Sequence, residues 1–158
     1  MIKILFVCHG NICRSPMAEF ILKDMVQKQG IAEQFVISSA ATSTEEIWNG
    51  VGNPVYPPAK AELARHGIGC EGKRAVQLTR ADYDKYDFLI GMDSANIRNM
   101  QRILGGDPEE KVFKLLSFAE QDRDISDPWY TGNFGVTYSD IVLGCESFLE
   151  YLSQRSLL

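Results

Sequence analysis

The sequence predicts an α/β fold: a parallel sheet of about four strands, covered by helices on both faces, with a loop of unusual composition between the first strand and the first helix. Three observations lead there. Short apolar runs such as Ile2 to Val7 and Phe88 to Met92 have the length and continuity of strands buried on both faces. Segments with apolar residues at helical spacing fall between and after them. The two kinds alternate along the chain, the order that parallel strands with helical crossovers require.

The first strand, Ile2 to Val7, stops abruptly at Cys8-His9-Gly10-Asn11. A helix is predicted to begin near Ser15-Pro16, because proline suits a first turn whose N–H groups have no helical partner, and Ser15 is the expected cap. Ala18, Ile21, Leu22, Met25 and Val26 then repeat at helical spacing, and Gly30 is the stop. Phe35 to Ser38 reads as a second strand, and Lys60 to His66 as part of a second helix ending at Gly67. Phe88 to Met92 is a further strand, Ala95 to Leu104 a helix, and Val112 to Phe118 strand-like. Val136 to Leu152 is a long amphipathic helix with Tyr138, Ile141, Val142, Cys145, Phe148, Leu149 and Leu152 on one face. Two stretches read as long surface loops, Ala41 to Pro58 and Gln121 to Gly135, the second carrying Asp127-Pro128-Trp129-Tyr130. Long loops in compact domains are often functional.

A chain of 158 residues, 45% apolar and 23% charged, is expected to form one domain spanning residues 1–158. No stretch approaches the roughly 18 apolar residues of a membrane span. Lys3 interrupts the apolar start, and no small-residue cleavage site follows, so it reads as a strand and not as a secretion signal. The net charge is −5 and the 16 Lys and Arg are scattered, so no basic stripe marks a nucleic-acid partner. Four cysteines, Cys8, Cys13, Cys70 and Cys145, lack the paired spacing of a zinc site and are too sparse for a disulfide scaffold. A reducing, cytoplasmic setting is the expectation, with no cofactor, no metal and no membrane partner, as a monomer or weak homo-oligomer.

The chemistry concentrates between Cys8 and Ser15. A cysteine closes a strand, an arginine follows six residues later, and a helix starts at once. A loop wrapped against a helix N-terminus turns successive N–H groups inward and forms a phosphate-binding concavity reinforced by the helix dipole. The same field favours thiolate over thiol, and cysteines so placed fall from about 8.5 to roughly 3.5–7.5 in pKa. Cys8 is therefore the candidate nucleophile. Arg14 supplies a planar fork of donors that can follow two phosphate oxygens into the transition state. Gly10 permits close approach of the backbone, Asn11 tolerates a left-handed conformation, and Ser15 is placed to donate its hydroxyl to the thiolate. An ordinary strand-to-helix turn, with Cys8 as a buried hydrophobe, explains each residue singly but not their combination.

Val7-Cys8-His9-Gly10-Asn11-Ile12-Cys13-Arg14-Ser15-Pro16 resembles the signature loop of the low-molecular-weight protein tyrosine phosphatases. The resemblance covers nearly the whole chain: Ser39-Ala40-Ala41-Thr42-Ser43, His66-Gly67-Ile68, Met92-Asp93, Asp127-Pro128 and the closing helix occur in the family's order. It implies a metal-independent phosphatase that hydrolyses phosphotyrosine in proteins, and small aryl phosphates, through a phosphocysteine on Cys8. It also implies that Asp127 protonates the leaving phenolate and then deprotonates the attacking water, and that Trp129 and Tyr130 wall the site. Trp129 stands where the family has tyrosine, and His9 where it has a leucine-like residue. His9 either approaches the phosphate or faces solvent. Asn11, Ser39 and His66 resemble a network that shapes the loop, and Asp93 an aspartate that orients Arg14. His66 reads equally well as a helix C-terminal residue. Trp48 is expected to line the pocket opposite Trp129. Cys13 suggests a protective disulfide with Cys8, or else loop packing.

Three alternatives share these residues. Arsenate reductases resemble the family in fold but need a further cysteine pair, and Cys70 and Cys145 are far apart in the sequence. Protein arginine phosphatases resemble it too, but typically carry threonine where Ile12 stands; isoleucine leaves an apolar slot better suited to a phenyl ring than to a guanidinium. A silent phosphotyrosine-binding module has no need of Cys8 and Asp127 together.

Overall fold

The computed structural model describes residues 1–158. The chain runs β1 (Ile2–Cys8), α1 (Arg14–Lys28), β2 (Phe35–Ala41), a small hairpin of β3 (Ile47–Trp48) and β4 (Val51–Gly52), α2 (Pro57–Arg65), α3 (Asp82–Lys85), β5 (Phe88–Gly91), α4 (Ser94–Leu104), β6 (Val112–Lys114), α5 (Pro128–Thr131) and α6 (Phe134–Gln154). Single 3-10 turns occupy Ala32–Gln34 and Leu115–Ala119.

Four strands form one parallel sheet in the order β2-β1-β5-β6, and β3 and β4 pair separately in antiparallel register. Parallel strands need covered faces, and β1 shows how the sequence arranges it. Its alternate residues Ile4, Phe6 and Cys8 join a large core with Met17, Ile21 and Leu22 of α1 and Ile141, Phe148 and Leu152 of α6. Leu5 and Val7 turn the other way, into a smaller core with Leu89, Met100 and Leu104. Phe6 is fully buried, and its truncation to alanine is expected to cost about 3–5 kcal/mol.

β1 lies between β2 on one side and β5 on the other, so the crossovers from its two neighbours diverge at its carboxyl end. That divergence leaves a crevice where open α/β sheets bind ligands. The loop carrying Cys8 to Cys13 occupies it.

The expected elements differ from the observed ones in four places. Helix α1 starts at Arg14, with Cys13 at the cap position and no capping side chain, so Ser15 is not the cap; its hydroxyl is engaged elsewhere. The strand expected from Val112 to Phe118 ends at Lys114, where the Ser117 hydroxyl donates to the Lys114 carbonyl at 2.6 Å and the backbone tightens into a 3-10 turn. Residues 41–58 are not loop throughout, since they include the β3–β4 hairpin and the start of α2. Gly52 is required there, because a Cβ at this position would run into the Ala75 backbone. The second long loop, residues 121–135, contains α5, opened by Asp127 as N-cap and Pro128 at its first position.

Candidate active site

The turn after β1 is built so that the backbone encircles one sulfur. Asn11 adopts φ 58°, which swings its N–H to 3.3 Å from Cys8 Sγ. This left-handed position suits asparagine among the non-glycine residues. Ser15, in the first turn of α1, places Oγ 3.0 Å from the same sulfur. Asn11 Nδ2 donates to Ser15 Oγ at 2.7 Å and to Ser39 Oγ at 2.9 Å, while its Oδ1 accepts from the Val76 N–H at 3.1 Å. Because the Ser15 oxygen already accepts from Asn11, its own hydrogen is free for Cys8, where it stabilises negative charge on sulfur. Ser39 in turn donates to Glu19 Oε1 at 2.6 Å.

Arg14 is 3% exposed and fixed at one end. Nη1 donates to Asp93 Oδ2 at 2.7 Å and to the Ile125 carbonyl at 2.8 Å, while Nη2 lies 3.6 Å from Asp127 Oδ2. Burial tends to lower the Arg14 pKa, but the Cys8 thiolate, the Asp93 hydrogen bond and the charges of Asp93 and Asp127 outweigh it and raise the pKa above the ordinary value. With Nη1 held by protein, Nη2 and Nε remain to meet an anion.

Cys8, Ile12, Cys13 and Arg14 line a cavity of about 140 Å³, together with His9 and Gly10. Asp127, Trp129 and Tyr130 line it as well, as do Glu45 and Glu46. The Trp129 ring lies 4.8 Å from that of Tyr56, centroid to centroid, and Tyr56 is anchored by its N–H to the Ile12 carbonyl at 2.9 Å. Tyr130 is almost wholly exposed. His9 turns to the outer edge, where Nε2 is 2.9 Å from Glu45 Oε2 and the ring is half exposed.

Two expected site residues lie elsewhere. Trp48 is 79% exposed on the β3–β4 hairpin and does not line the cavity; Glu45 and Glu46, just before the hairpin, take that wall. His66 is not in the loop network. It stacks on Tyr138 with centroids 3.7 Å apart and pairs with Glu62 Oε2 at 3.0 Å, as a residue closing α2. The position it was expected to fill is taken by Lys73, whose Nζ donates to the Ser39 carbonyl at 2.9 Å and lies 3.5 Å from Glu19 Oε1. Sequence reading missed Lys73, Glu19, Glu45, Glu46 and Tyr56. Glu19 alone left a signal, a charge on the otherwise buried first turns of α1.

Cys13 is nearly buried at the cavity wall, and burial, with the charge of Cys8 adding to it, pushes its thiol up to about 12. Burial likewise pushes the Cys145 thiol up. No group of three His, Cys, Asp or Glu side chains is gathered that could hold a metal ion, and no helix is long and apolar enough to cross a membrane.

Residues 3–157 match the family of low molecular weight phosphotyrosine protein phosphatases. The chain belongs to this family. It is 37% identical to the low molecular weight protein-tyrosine-phosphatase YfkJ of Bacillus subtilis over all of both chains. The crystal structure of YfkJ superposes with a TM-score of 0.91, covering 98% of this chain and 96% of that one. The low molecular weight protein-tyrosine-phosphatase PtpA of Staphylococcus epidermidis is 34% identical, over 96% of this chain and 94% of its own. A Streptococcus pyogenes low molecular weight protein tyrosine phosphatase, SP-PTP, is similar at TM-score 0.82 and 35% identity, covering 98% of this chain and 93% of that one. Cys8, Arg14 and Asp127 line one cavity in this chain.

Proposed function

We propose that the whole chain acts as one metal-independent protein tyrosine phosphatase, with Cys8 as nucleophile, Arg14 as phosphate clamp and Asp127 as general acid and base. The observation that carries this reading is the meeting of Cys8, Arg14 and Asp127 at one small cavity at the N-terminus of a helix of 15 residues. The free N–H groups of the loop and of the first turn, with Nη2 of Arg14, receive the three non-bridging phosphate oxygens. Cys8 Sγ attacks phosphorus from below while the phenolic oxygen leaves toward the mouth. The carboxyl of Asp127 gives that oxygen a proton, the phosphoryl group stays on sulfur, and tyrosine departs. The Asp127 carboxylate then takes a proton from water, whose oxygen attacks phosphorus and releases inorganic phosphate and the Cys8 thiolate. Such proton transfer typically contributes about 10²–10⁴ in rate, or roughly 3–5 kcal/mol.

Ile12 and Trp129 give the mouth an apolar wall and an aromatic edge, which favours a phenyl ring over a guanidinium. Phosphotyrosine proteins are therefore the proposed substrates, in preference to phosphoarginine or arsenate. The cysteines are all free thiols, in keeping with a reducing, cytoplasmic setting.

Steady-state hydrolysis of an aryl phosphate and a phosphotyrosine peptide, without added metal, tests the assignment. Turnover is expected to vanish in Cys8→Ser and to slow by about 10² or more in Asp127→Ala. Absence of turnover by the reduced wild-type chain, with phosphoarginine or arsenate turned over instead, would overturn it.

A further inference from the structure

Behind the phosphate loop lies a charge cluster that the chemistry above does not use. Glu19 of α1 pairs with Lys23 at 2.6 Å, and Lys23 is 44% exposed at the surface. That pair already balances the carboxylate. Lys73, between α2 and α3, adds a second ammonium 3.5 Å from the other Glu19 oxygen, with its own side chain only 12% exposed. Two cations and one anion leave a surplus positive charge, and of the two cations it is Lys73 that is held away from solvent, where an unmatched charge is unfavourable. Burial accordingly lowers the Lys73 pKa, against the opposing pull of Glu19 and of the Cys8 thiolate.

The same cluster is wired to the nucleophile by hydrogen bonds. Lys73 Nζ holds the Ser39 carbonyl at 2.9 Å, and Ser39 Oγ bridges Glu19 at 2.6 Å and Asn11 at 2.9 Å. Asn11 fixes Ser15 at 2.7 Å, and Ser15 meets Cys8 Sγ at 3.0 Å. We propose that Lys73 is a positioning residue of the active site: it locks Ser39 and Glu19 behind the phosphate loop, and its surplus charge favours the anionic state at Cys8. The proposal rests on the phosphatase reading only for its turnover readout.

The test is the rate of Cys8 alkylation by iodoacetamide across the pH range, followed by mass spectrometry of the Cys8 peptide in the full chain. It needs no turnover. Lys73→Met removes the charge and the donor while keeping much of the volume. Arg14, Asp127, Cys13 and the His9–Glu45 pair face Cys8 from α1, the α5 entry and the loop; Glu19 and Lys23 face Lys73 from α1. All of these stay in place in the variant, so the difference reports Lys73. On the acid limb, where the rate tracks the thiolate fraction, Lys73→Met is expected to react about 3- to 10-fold more slowly than the parent. On the alkaline plateau the two rates should coincide, and Lys73→Arg should recover most of the acid-limb loss. In parallel, kcat/KM on an aryl phosphate should fall by about the same factor over the same acid limb.

An acid-limb rate equal to the parent's, with only the melting temperature lowered, overturns the proposal and leaves Lys73 a packing residue. Should Lys73→Met not fold, Lys73→Gln carries the same test, since it keeps a donor for the Ser39 carbonyl without the charge. Parent-like alkylation in that variant also overturns it. A parent that turns over no aryl phosphate, yet shows the predicted alkylation order, refutes the phosphatase reading and supports the positioning role.

Discussion

Arg14 Nη1 lies 2.7 Å from Asp93 Oδ2, so the arginine proposed as the phosphate clamp is itself held by the residue that caps α4. Asp93 Oδ1 accepts from the Asn96 N–H at 2.7 Å and completes a capping box. One side chain thus serves two purposes, and two substitutions separate them. Asp93→Asn keeps a good cap and loses the charge, so stability should change little while kcat/KM on an aryl phosphate falls about 10-fold, the loss of a charge-assisted bond worth about 1.4 kcal/mol. Asp93→Ala should lose the same activity and, in addition, about 1 kcal/mol of stability from the missing cap. Equal melting temperatures for the two variants would contradict the dual role.

Asp127 is assigned as the proton donor, and this assignment has a signature beyond a lower rate. The need for a proton grows with the basicity of the leaving oxygen. Asp127→Asn keeps the N-cap acceptor for the Trp129 N–H, at 3.0 Å in the parent, and so preserves α5. Across a series of aryl phosphates, the variant should lose about 10²-fold or more for phenyl phosphate but less than about 10-fold for a strongly activated nitrophenyl ester. A uniform loss across the series would mean that Asp127 acts on binding and not on proton transfer.

The reach of the sequence ended where the contacts became long-range. The strand, loop and helix around Cys8 were legible because their signals are local: an apolar run, a glycine and asparagine at a turn, a proline in a first turn. Asp127 was singled out through resemblance, since its Asp-Pro step alone signals only a turn. Lys73 was missed and His66 taken in its place for one reason. Both follow the second helix closely, and only the packing of residues 73–77 along β2, with the Ala41 N–H donating to the Val76 carbonyl at 2.8 Å, brings Lys73 under Ser39. Trp48 was misplaced for a similar reason, because two-residue strands leave no periodicity to read. The strand expected through Phe118 failed on Leu115 and Leu116, which are both fully buried in succession, a pattern that an apolar run shares with a tight turn packed beneath α6.

The correction at Trp48 yields a comparison. Trp48→Ala removes an exposed ring outside the cavity, so kcat/KM on a small aryl phosphate should stay within about twofold of the parent. Trp129→Ala removes a ring that lines the cavity and packs on Tyr56, so KM should rise about 5- to 20-fold, in line with an aromatic contact worth roughly 1–2 kcal/mol. Steady-state kinetics on both variants decide the matter. A larger KM effect at Trp48 than at Trp129 would return the hairpin to the pocket wall.

Glu62 makes the packing of α2 sensitive to acid. Its side chain is 9% exposed and receives Arg65 at 2.6 Å and His66 at 3.0 Å, while His66 stacks on Tyr138 of α6. The hydrogen bond from Arg65 is the main cause of a carboxyl pKa below its ordinary value of 4.5; burial works against it, and His66 adds to the lowering. A carboxylate with a depressed folded-state pKa contributes stability that is fully present above its unfolded value and is lost as the pH falls through the folded one. The contribution should therefore be intact at neutral pH and fade below about pH 4.5. Glu62→Gln never has it, so the variant should be less stable by roughly 1 kcal/mol at about pH 7 and approach the parent near pH 3. Urea unfolding midpoints across that range check the sign. A constant offset down to the acid end would show that the substitution disturbs packing between α2 and α6 and not a titrating carboxylate.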